Sequence, residues 1–398
     1  MDACRTGMEN PNEAIAKAII RNRKTDQAWP IPKKAMSPFI YQEVFTGATA
    51  LLAVAMGVSR ITSPDNSFQQ NGSRLFWPLV LCLGLTLWIG LRPVSVAFGD
   101  TMNYAQEYNM KIPHHISMNW NDEWIWQWLI NGCKAAGFNV QVFFTIVAAG
   151  YVLSAFWAVK LFLPKDPLLG TVFLLSSLMF FPFAVNGLRN GLACHLVLLG
   201  AAWLFDDKWI PGLLTLLVTV GIHRSVLLPI LAIVFARFLF RNVRYAIAFW
   251  ISAIIVSLVA GDALVNVFVG LGFDDRMSQY VSITDMSEFS KAGFRWDFLL
   301  YSAAPVVMAW YVCIKKDLQD NWYNAICTVY CLCNAFWVLV IRSAFSNRFA
   351  YLSWFLYPIV IAYPLVNMPI REDQDRFTGW ILIAYASFSA FMWFIFWQ

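Results

Sequence analysis

The chain has 398 residues, 59% of them apolar and 13% charged, with a formal net charge of +5. A soluble domain carries about 25% charged residues, so this composition excludes a soluble globular protein and describes a polytopic membrane protein. The modest positive charge, with no arginine-rich stripe on a soluble surface, argues against a nucleic-acid partner and leaves anionic headgroups or phosphorylated ligands.

A spanning helix needs about 20 apolar residues. On that measure spans are predicted at 41–58, 75–91, 138–161, 168–185, 188–205, 209–222, 224–240, 245–263, 296–314, 322–341, 349–366 and 378–397. The expectation is an all-α bundle of 11–12 transmembrane helices. Residues 1–40 form a polar N-terminal segment, and 41–398 form one integral membrane domain without a detectable internal repeat or low-complexity tract. Tryptophans gather at the ends of apolar runs, as interfacial belts require. Two longer polar loops occupy 92–137 and 261–295. Of the eight cysteines, six lie in apolar runs and read as small hydrophobes. The Cys331-Leu332-Cys333 spacing is not that of a zinc site, and no metal-ligand spacing of note occurs elsewhere.

Lysines and arginines in short loops set the orientation. Arg237, Arg241 and Arg244, then Lys315 and Lys316, then Lys160 and Lys165, fall on one side by alternation, which is taken as cytoplasmic. Both long loops then lie outside, as do Asn186 to Asn190, His223 to Ser225 and Arg342 to Arg348. The same counting places the basic segment 1–40 outside, against the rule. Three accounts stand open: 41–58 does not cross, the rule fails here, or translation starts at Met36.

The predicted hairpin of spans 188–205 and 209–222 turns at Asp206-Asp207-Lys208, bringing Arg189 and His223 to the same side of the bilayer. Polar side chains at that depth are costly, so a functional site is the default hypothesis. Arg189 at a helix mouth has the fork geometry to grip a phosphate; alternatively it snorkels to headgroups or pairs with a structural carboxylate. Asn186 and Asn190 add polarity to the same mouth. His223 at a helix end reads as a base or donor near neutral pH, or as a hydrogen-bonded structural residue. His195 lies mid-span and reads as a core histidine. The adjacent His114 and His115 are a weak metal signal. Upstream, Arg92, Gly99, Asp100, Tyr104 and Tyr108 lie in one outer loop. Asp122 and Glu123 precede Trp124, Trp126 and Trp128 in a segment that reads as an interfacial helix. A carboxylate here serves as a general base if burial raises its pKa, or else is a solvated loop acid. Arg342 and Arg348 flank the eleventh span, where Arg348 and Tyr351 share a helical face. Taken together, one membrane face gathers arginines suited to a diphosphate, aromatics suited to sugar rings, and acids or a histidine suited to deprotonating a hydroxyl. That set describes glycan transfer from a lipid diphosphate.

The order of these motifs resembles the EpsG-like family, which are polysaccharide polymerases of the Wzy type. Members show an early arginine and then a Gly, Asp and Tyr, matched by Arg92, Gly99, Asp100 and Tyr104. An acidic residue opening the next segment looks like Glu123. Arg189-Asn190-Gly191-Leu192-Ala193 is similar to the family's Arg-Gln-x-x-Ala, with Asn190 in place of Gln. Ile222-His223-Arg224-Ser225 is similar to Phe-His-x-Ser, with Ile222 in place of Phe and an added cation at Arg224. Arg348, Phe349 and Tyr351 resemble the late arginine motif. The likeness covers roughly 41–366.

The resemblance implies a GT-C-like architecture and inverting glycosyl transfer between undecaprenyl-diphosphate-linked repeat units. The product would be a capsular or exopolysaccharide or an O-antigen, built on the outer face of the cytoplasmic membrane. No cofactor and no metal are implied. The implied partners are the lipid-linked glycans, membrane lipids, a chain-length regulator and other polysaccharide assembly proteins. The expected roles are Arg189 and Arg348 on the donor diphosphate, with Arg92 and Arg224 as auxiliary cations. His223 or Asp100 would be the acceptor base and Glu123 a further candidate, with Tyr104, Trp124 and Tyr351 on sugar or lipid. The rival readings are an O-antigen ligase, a glycosyltransferase using a lipid phosphate, and a flippase. The flippase fits least, because the charges cluster at one face and no repeat symmetry is visible.

Overall fold

The computed structural model describes residues 38–63, 75–110, 123–239, 242–270, 293–343 and 346–396. The predicted polar segment 1–40 therefore falls outside the described residues except for its last three, as do His114, His115 and Asp122. Among the described residues the protein is all α. The first helices are α1 (Pro38–Thr62), α2 (Phe76–Gly90), α3 (Thr101–Met110) and α4 (Trp124–Ala135). Then come α5 (Val140–Phe162), α6 (Pro167–Leu175), α7 (Phe180–Val185), α8 (Leu188–Phe205) and α9 (Trp209–Ile222). A 3-10 turn, Arg224–Val226, leads to α10 (Leu227–Phe238), followed by α11 (Val243–Gly270) and α12 (Trp296–Ala309). The last are α13 (Asn321–Leu339), α14 (Asn347–Trp354), α15 (Tyr357–Asn367) and α16 (Gln374–Phe396).

Eight helical stretches among the described residues are long and apolar enough to cross a membrane, α14 with α15 counting as one. This is fewer than the twelve spans predicted, and the shortfall has identifiable causes. α2 and α9 are apolar but short. Predicted span 224–240 opens with a 3-10 turn, which leaves a helix of only 12 residues. Predicted span 168–185 is broken between α6 and α7. Pro182 has no N–H, and its ring clashes with the carbonyl four residues back, at Leu178. A break at membrane depth is tolerated only where protein satisfies the freed backbone groups. Here the Leu178 N–H donates to Tyr301 Oη at 3.3 Å, and Tyr151 Oη–H donates to the Phe180 carbonyl at 2.7 Å. The same device recurs in α15. Pro364 leaves the Val360 carbonyl without its helical donor, and the Tyr323 hydroxyl supplies one at 3.1 Å.

The centre of the bundle is α8, α13 and the α14–α15 pair, whose spans are mostly buried, while α1, α11 and α16 form the periphery facing lipid. Lipid tails are as apolar as leucine, so these helices associate by close packing and hydrogen bonds. α1 and α16 cross at Gly57 and Gly379, where an added Cβ on either would approach the other's carbonyl oxygen to 2.8 or 2.5 Å. Asn334 of α13 accepts from Trp250 Nε1 of α11 at 2.7 Å and donates to Ser302 Oγ of α12 and Ser353 Oγ of α14 at 3.1 and 2.9 Å. At one end of the bundle Arg60 pairs with Asp166 and Asp375, pinning α1 to the starts of α6 and α16.

α1 crosses in full. Its start lies at the opposite end from Arg60, where Tyr41 packs on Trp88 and Phe98 with ring centroids 4.6 and 5.7 Å apart. The Arg60 end also receives Arg237, bonded to Asp207 at 3.1 Å, and Arg244, 3.7 Å from Asp317.

Candidate functional site

The end of the bundle away from Arg60 collects the starts of α5, α8 and α14 and the ends of α2 and α9. A short chain path between α2 and α3 builds the first part of the site. Arg92 closes this path from beneath. It is 0% exposed and donates from Nη1 to the Ile89 carbonyl at 2.7 Å. Nη2 donates to Thr101 Oγ1 at 3.0 Å and to the Val185 carbonyl at 3.3 Å, with Phe144 stacked 4.6 Å from the guanidinium carbon. Thr101 in turn donates to Val185 O at 2.6 Å, and Gln141 Nε2 caps the carbonyls of Gly90 and Arg92 at 2.7 Å each. A guanidinium used up in this way has no face for a diphosphate, so the predicted auxiliary cation at Arg92 is corrected to a positioning residue. It ties α2 to α3 and α7, and thereby fixes where Asp100 emerges.

Gly99 makes the turn with φ +57° and ψ −118°, a region that only glycine occupies without strain. A Cβ there would lie 2.4 Å from Asn186 Oδ1. That oxygen accepts from the Asp100 backbone N–H at 2.8 Å. Asp100 Oδ2 then accepts from Arg348 Nη2 at 3.0 Å, and its Oδ1 from Asn103 at 3.1 Å. Both partners of the Asp100–Arg348 pair are one-third exposed.

Glu123, immediately before α4, is the hub of a second, more enclosed cluster. One carboxylate oxygen receives Arg189 Nη1 and the other contacts His223 Nδ1. The three side chains are only 15–20% exposed. They come from the start of α4, the start of α8 and the end of α9, so three distant stretches of chain meet at one carboxylate. The α8–α9 hairpin is held close by Gly200 and Gly212, where a Cβ on either would sit 3.3 or 3.1 Å from the other's carbonyl. That crossing sets His223 level with Arg189. Two buried polar atoms at this corner, Arg189 Nε and Ser225 Oγ, have no hydrogen-bond partner among the described residues.

The start of α8 joins the two clusters. Asn186 holds Asp100, Arg189 meets Glu123, and Asn190 Nδ2 donates to the Arg348 carbonyl at 3.4 Å. Tyr104 lies between them, its ring 5.7 Å from the Arg189 guanidinium carbon and edge-on to Trp126 at 5.7 Å. Burial pushes the Tyr104 phenol above its ordinary value, and the nearby Arg189 charge opposes that rise. The phenol therefore stays protonated at neutral pH. Trp124 is half-buried and packs on Trp128 at 4.9 Å and beside Gly221 of α9. Arg224 is half-buried on the 3-10 turn next to His223.

Tyr351 departs from expectation. It is 2% exposed and stacks on Phe183 at 3.5 Å, with its hydroxyl 3.1 Å from Tyr151 Oη and 3.3 Å from His195 Nε2. It belongs to a buried network and presents no surface to a sugar, so its predicted sugar contact is corrected to an internal one. His195, read as a core histidine, sits in that network with Nδ1 3.0 Å from the Tyr151 carbonyl. Thr101 and Gln141 carried no sequence signal. An isolated Thr or Gln near a helix end looks like any other polar residue until its partners are known.

Fold and site together define a multi-pass α-helical membrane protein with a charged cluster at one end of its bundle. The EpsG family model matches residues 75–398, and the chain belongs to that family. The match takes in every member of both clusters. No curated protein and no solved structure matches the chain.

Proposed function

We propose that this protein is a glycosyltransferase, a Wzy-type polymerase. It would extend undecaprenyl-diphosphate-linked oligosaccharide repeat units by inverting transfer on the outer face of the cytoplasmic membrane. The observation that carries the reading is the joining of Arg189–Glu123–His223 to Asp100–Arg348 through the start of α8. In the reaction the bond from the donor sugar's anomeric carbon to the diphosphate oxygen breaks, and a bond to the acceptor hydroxyl oxygen forms on the opposite face. The electron pair leaves on the diphosphate, where fixed cations act most strongly in the transition state. Arg189, Arg348 and Arg224 are assigned to that charge. A guanidinium has five N–H donors, so Arg189, which is 18% exposed, can hold Glu123 through Nη1 and still have N–H groups left for a phosphate oxygen. The first turn of α8 adds backbone N–H groups to the same end.

The acceptor proton goes to His223. With Glu123 on Nδ1, that nitrogen carries the proton and Nε2 is left as the base, and the carboxylate stabilises the imidazolium that forms. Asp100, held by Arg348, is the second candidate base. Tyr104 and Trp124 offer aromatic surface for sugar or lipid. Orientation rests on the basic residues Arg60, Lys160, Lys165, Arg237, Arg244, Lys315 and Lys316 at the other end, the cytoplasmic one by the positive-inside rule.

The test is Arg189→Ala and Arg189→Lys in a strain lacking the gene. Loss of long polymer with accumulation of single lipid-linked repeat units is expected for both. A normal ladder with Arg189→Ala rules out the diphosphate role, and accumulation of long lipid-linked chains identifies a ligase instead.

A further inference from the structure

Helices α9 and α10 leave an apolar groove of about 320 Å³ between them. Leu213, Leu217 and Val220 line one wall and Ile230, Ile233 and Val234 the other, with the last turn of α8 as the floor. Several of these apolar side chains are exposed, which makes the groove a surface suited to hydrocarbon. At the far end the rings of Trp209 and Phe238 approach to 6.4 Å, and Arg237 lies 5.8 Å over Trp209 while bonded to Asp207. The groove is therefore stopped at the Arg60 end of the bundle. At its other end Val220 stands three residues before His223, and Ile230 follows the turn that carries Arg224. From Trp209 to Val220 the wall runs about 16 Å at 1.5 Å per residue.

We propose that this groove seats the hydrocarbon tail of the diphosphate lipid whose head binds at the Arg189–His223 corner. This proposal rests on the function proposed above. Continuity is the argument for the occupant: the turn that joins the groove's two walls is the turn that carries His223 and Arg224 into the site. Moving a tail from bulk lipid into an apolar groove brings little hydrophobic gain, because lipid is as apolar as the groove. Selection must come from the head. A diphosphate held at the turn keeps its own tail at high effective concentration beside the groove, where an untethered acyl chain has no such advantage. The groove then fixes the direction in which the tail leaves the site, and with it the pose of the first sugar.

The experiment uses the full chain in vesicles of phosphatidylethanolamine and phosphatidylglycerol. The probe is a long-chain polyprenyl diphosphate, without sugar, carrying a mid-chain diazirine. Cross-links are expected on residues 213–234. They should fall at least about tenfold in Leu217→Trp/Val234→Trp, which fills the groove, and in Arg189→Ala, which releases the head. Binding of a two-isoprene diphosphate, whose tail is too short to occupy the groove, should be the same in the Leu217→Trp/Val234→Trp variant as in the native chain. Competition by unlabelled polyprenyl diphosphate in the native chain gives the same readout without a variant. Labelling of α1, α11 and α16 as strong as that of α9 and α10 overturns the proposal. So does equal labelling of the groove by a diazirine phospholipid, which identifies bulk lipid as the occupant. If the two-isoprene diphosphate fails to bind the native chain, the diphosphate reading of the site falls and takes the groove with it. If it binds while the groove stays unlabelled, the groove proposal alone is lost.

Discussion

Replacing Glu123 with Gln tests the site at its most connected point. In the native protein the two carboxylate oxygens serve two different cationic or donor partners, Arg189 Nη1 and His223 Nδ1. Glutamine keeps the shape and one acceptor, removes the charge, and turns an NH2 group toward the other partner. A hydrogen bond to a charged group contributes about 1.5–3 kcal/mol. Because the three side chains keep 15–20% exposure, the lower part of that range applies to each, and the pair is worth about 3 kcal/mol. Glutamine keeps one of the two bonds, so about half of this is lost outright; expressed in the transition state, where the imidazolium forms, the loss is at least about tenfold in turnover. Glu123→Asp keeps the charge, but one methylene fewer lets it reach only one partner, and it should fall between the two. The assay is elongation of purified lipid-linked repeat units by the solubilised protein, read as a ladder on gels, with thermal unfolding in parallel. A folded Glu123→Gln protein that elongates within about threefold of the native rate would refute the assigned role.

Three other substitutions separate scaffold from chemistry. Arg92→Met should lower folded yield in membranes by leaving the Ile89 carbonyl without a donor, at about 1–3 kcal/mol, while the Val185 carbonyl keeps Thr101; a well-folded variant impaired only in substrate affinity would restore Arg92 to the anion site. Gly99→Ala forces a side chain into a glycine-only region against Asn186, costing about 1–3 kcal/mol, and should displace Asp100; elongation by the folded variant should drop more than its unfolding temperature, and unchanged elongation would show that the placement of Asp100 does not matter. Breaking the Asp100–Arg348 pair should scarcely move stability, since ion pairs this exposed contribute about 0–1 kcal/mol. Asp100→Asn and Arg348→Gln should therefore lose polymer with little change in thermal unfolding, and a large destabilisation in either would mark the pair as structural.

The EpsG-like motif order drew attention to the residues of both clusters, and hydropathy alone fixed the membrane class, because apolar run length and charge content are local properties of a chain. The likeness of Arg189 and His223 in depth also followed locally, from the length of two apolar runs and the turn between them. What lay beyond the sequence was pairing. Nothing in the spacing of Glu123 indicates that it lands between an arginine 66 residues later and a histidine 100 residues later, because that meeting depends on how three helices cross. The same limit explains the misassigned side chains. Arg92 and Arg189 both follow or open an apolar run, and only the packed bundle distinguishes a guanidinium consumed by carbonyls from one with an N–H to spare. Tyr351 is at helical spacing from Arg348, yet its ring lies inward, stacked on Phe183. Broken spans were hidden for a related reason. A run of apolar residues reads as one helix whether or not distant tyrosines stand ready to satisfy the backbone that a proline frees. Composition and periodicity determine which segments enter the membrane; the choice of partners for each buried polar group belongs to tertiary structure, since in a medium without water each such group must find its partner within the protein.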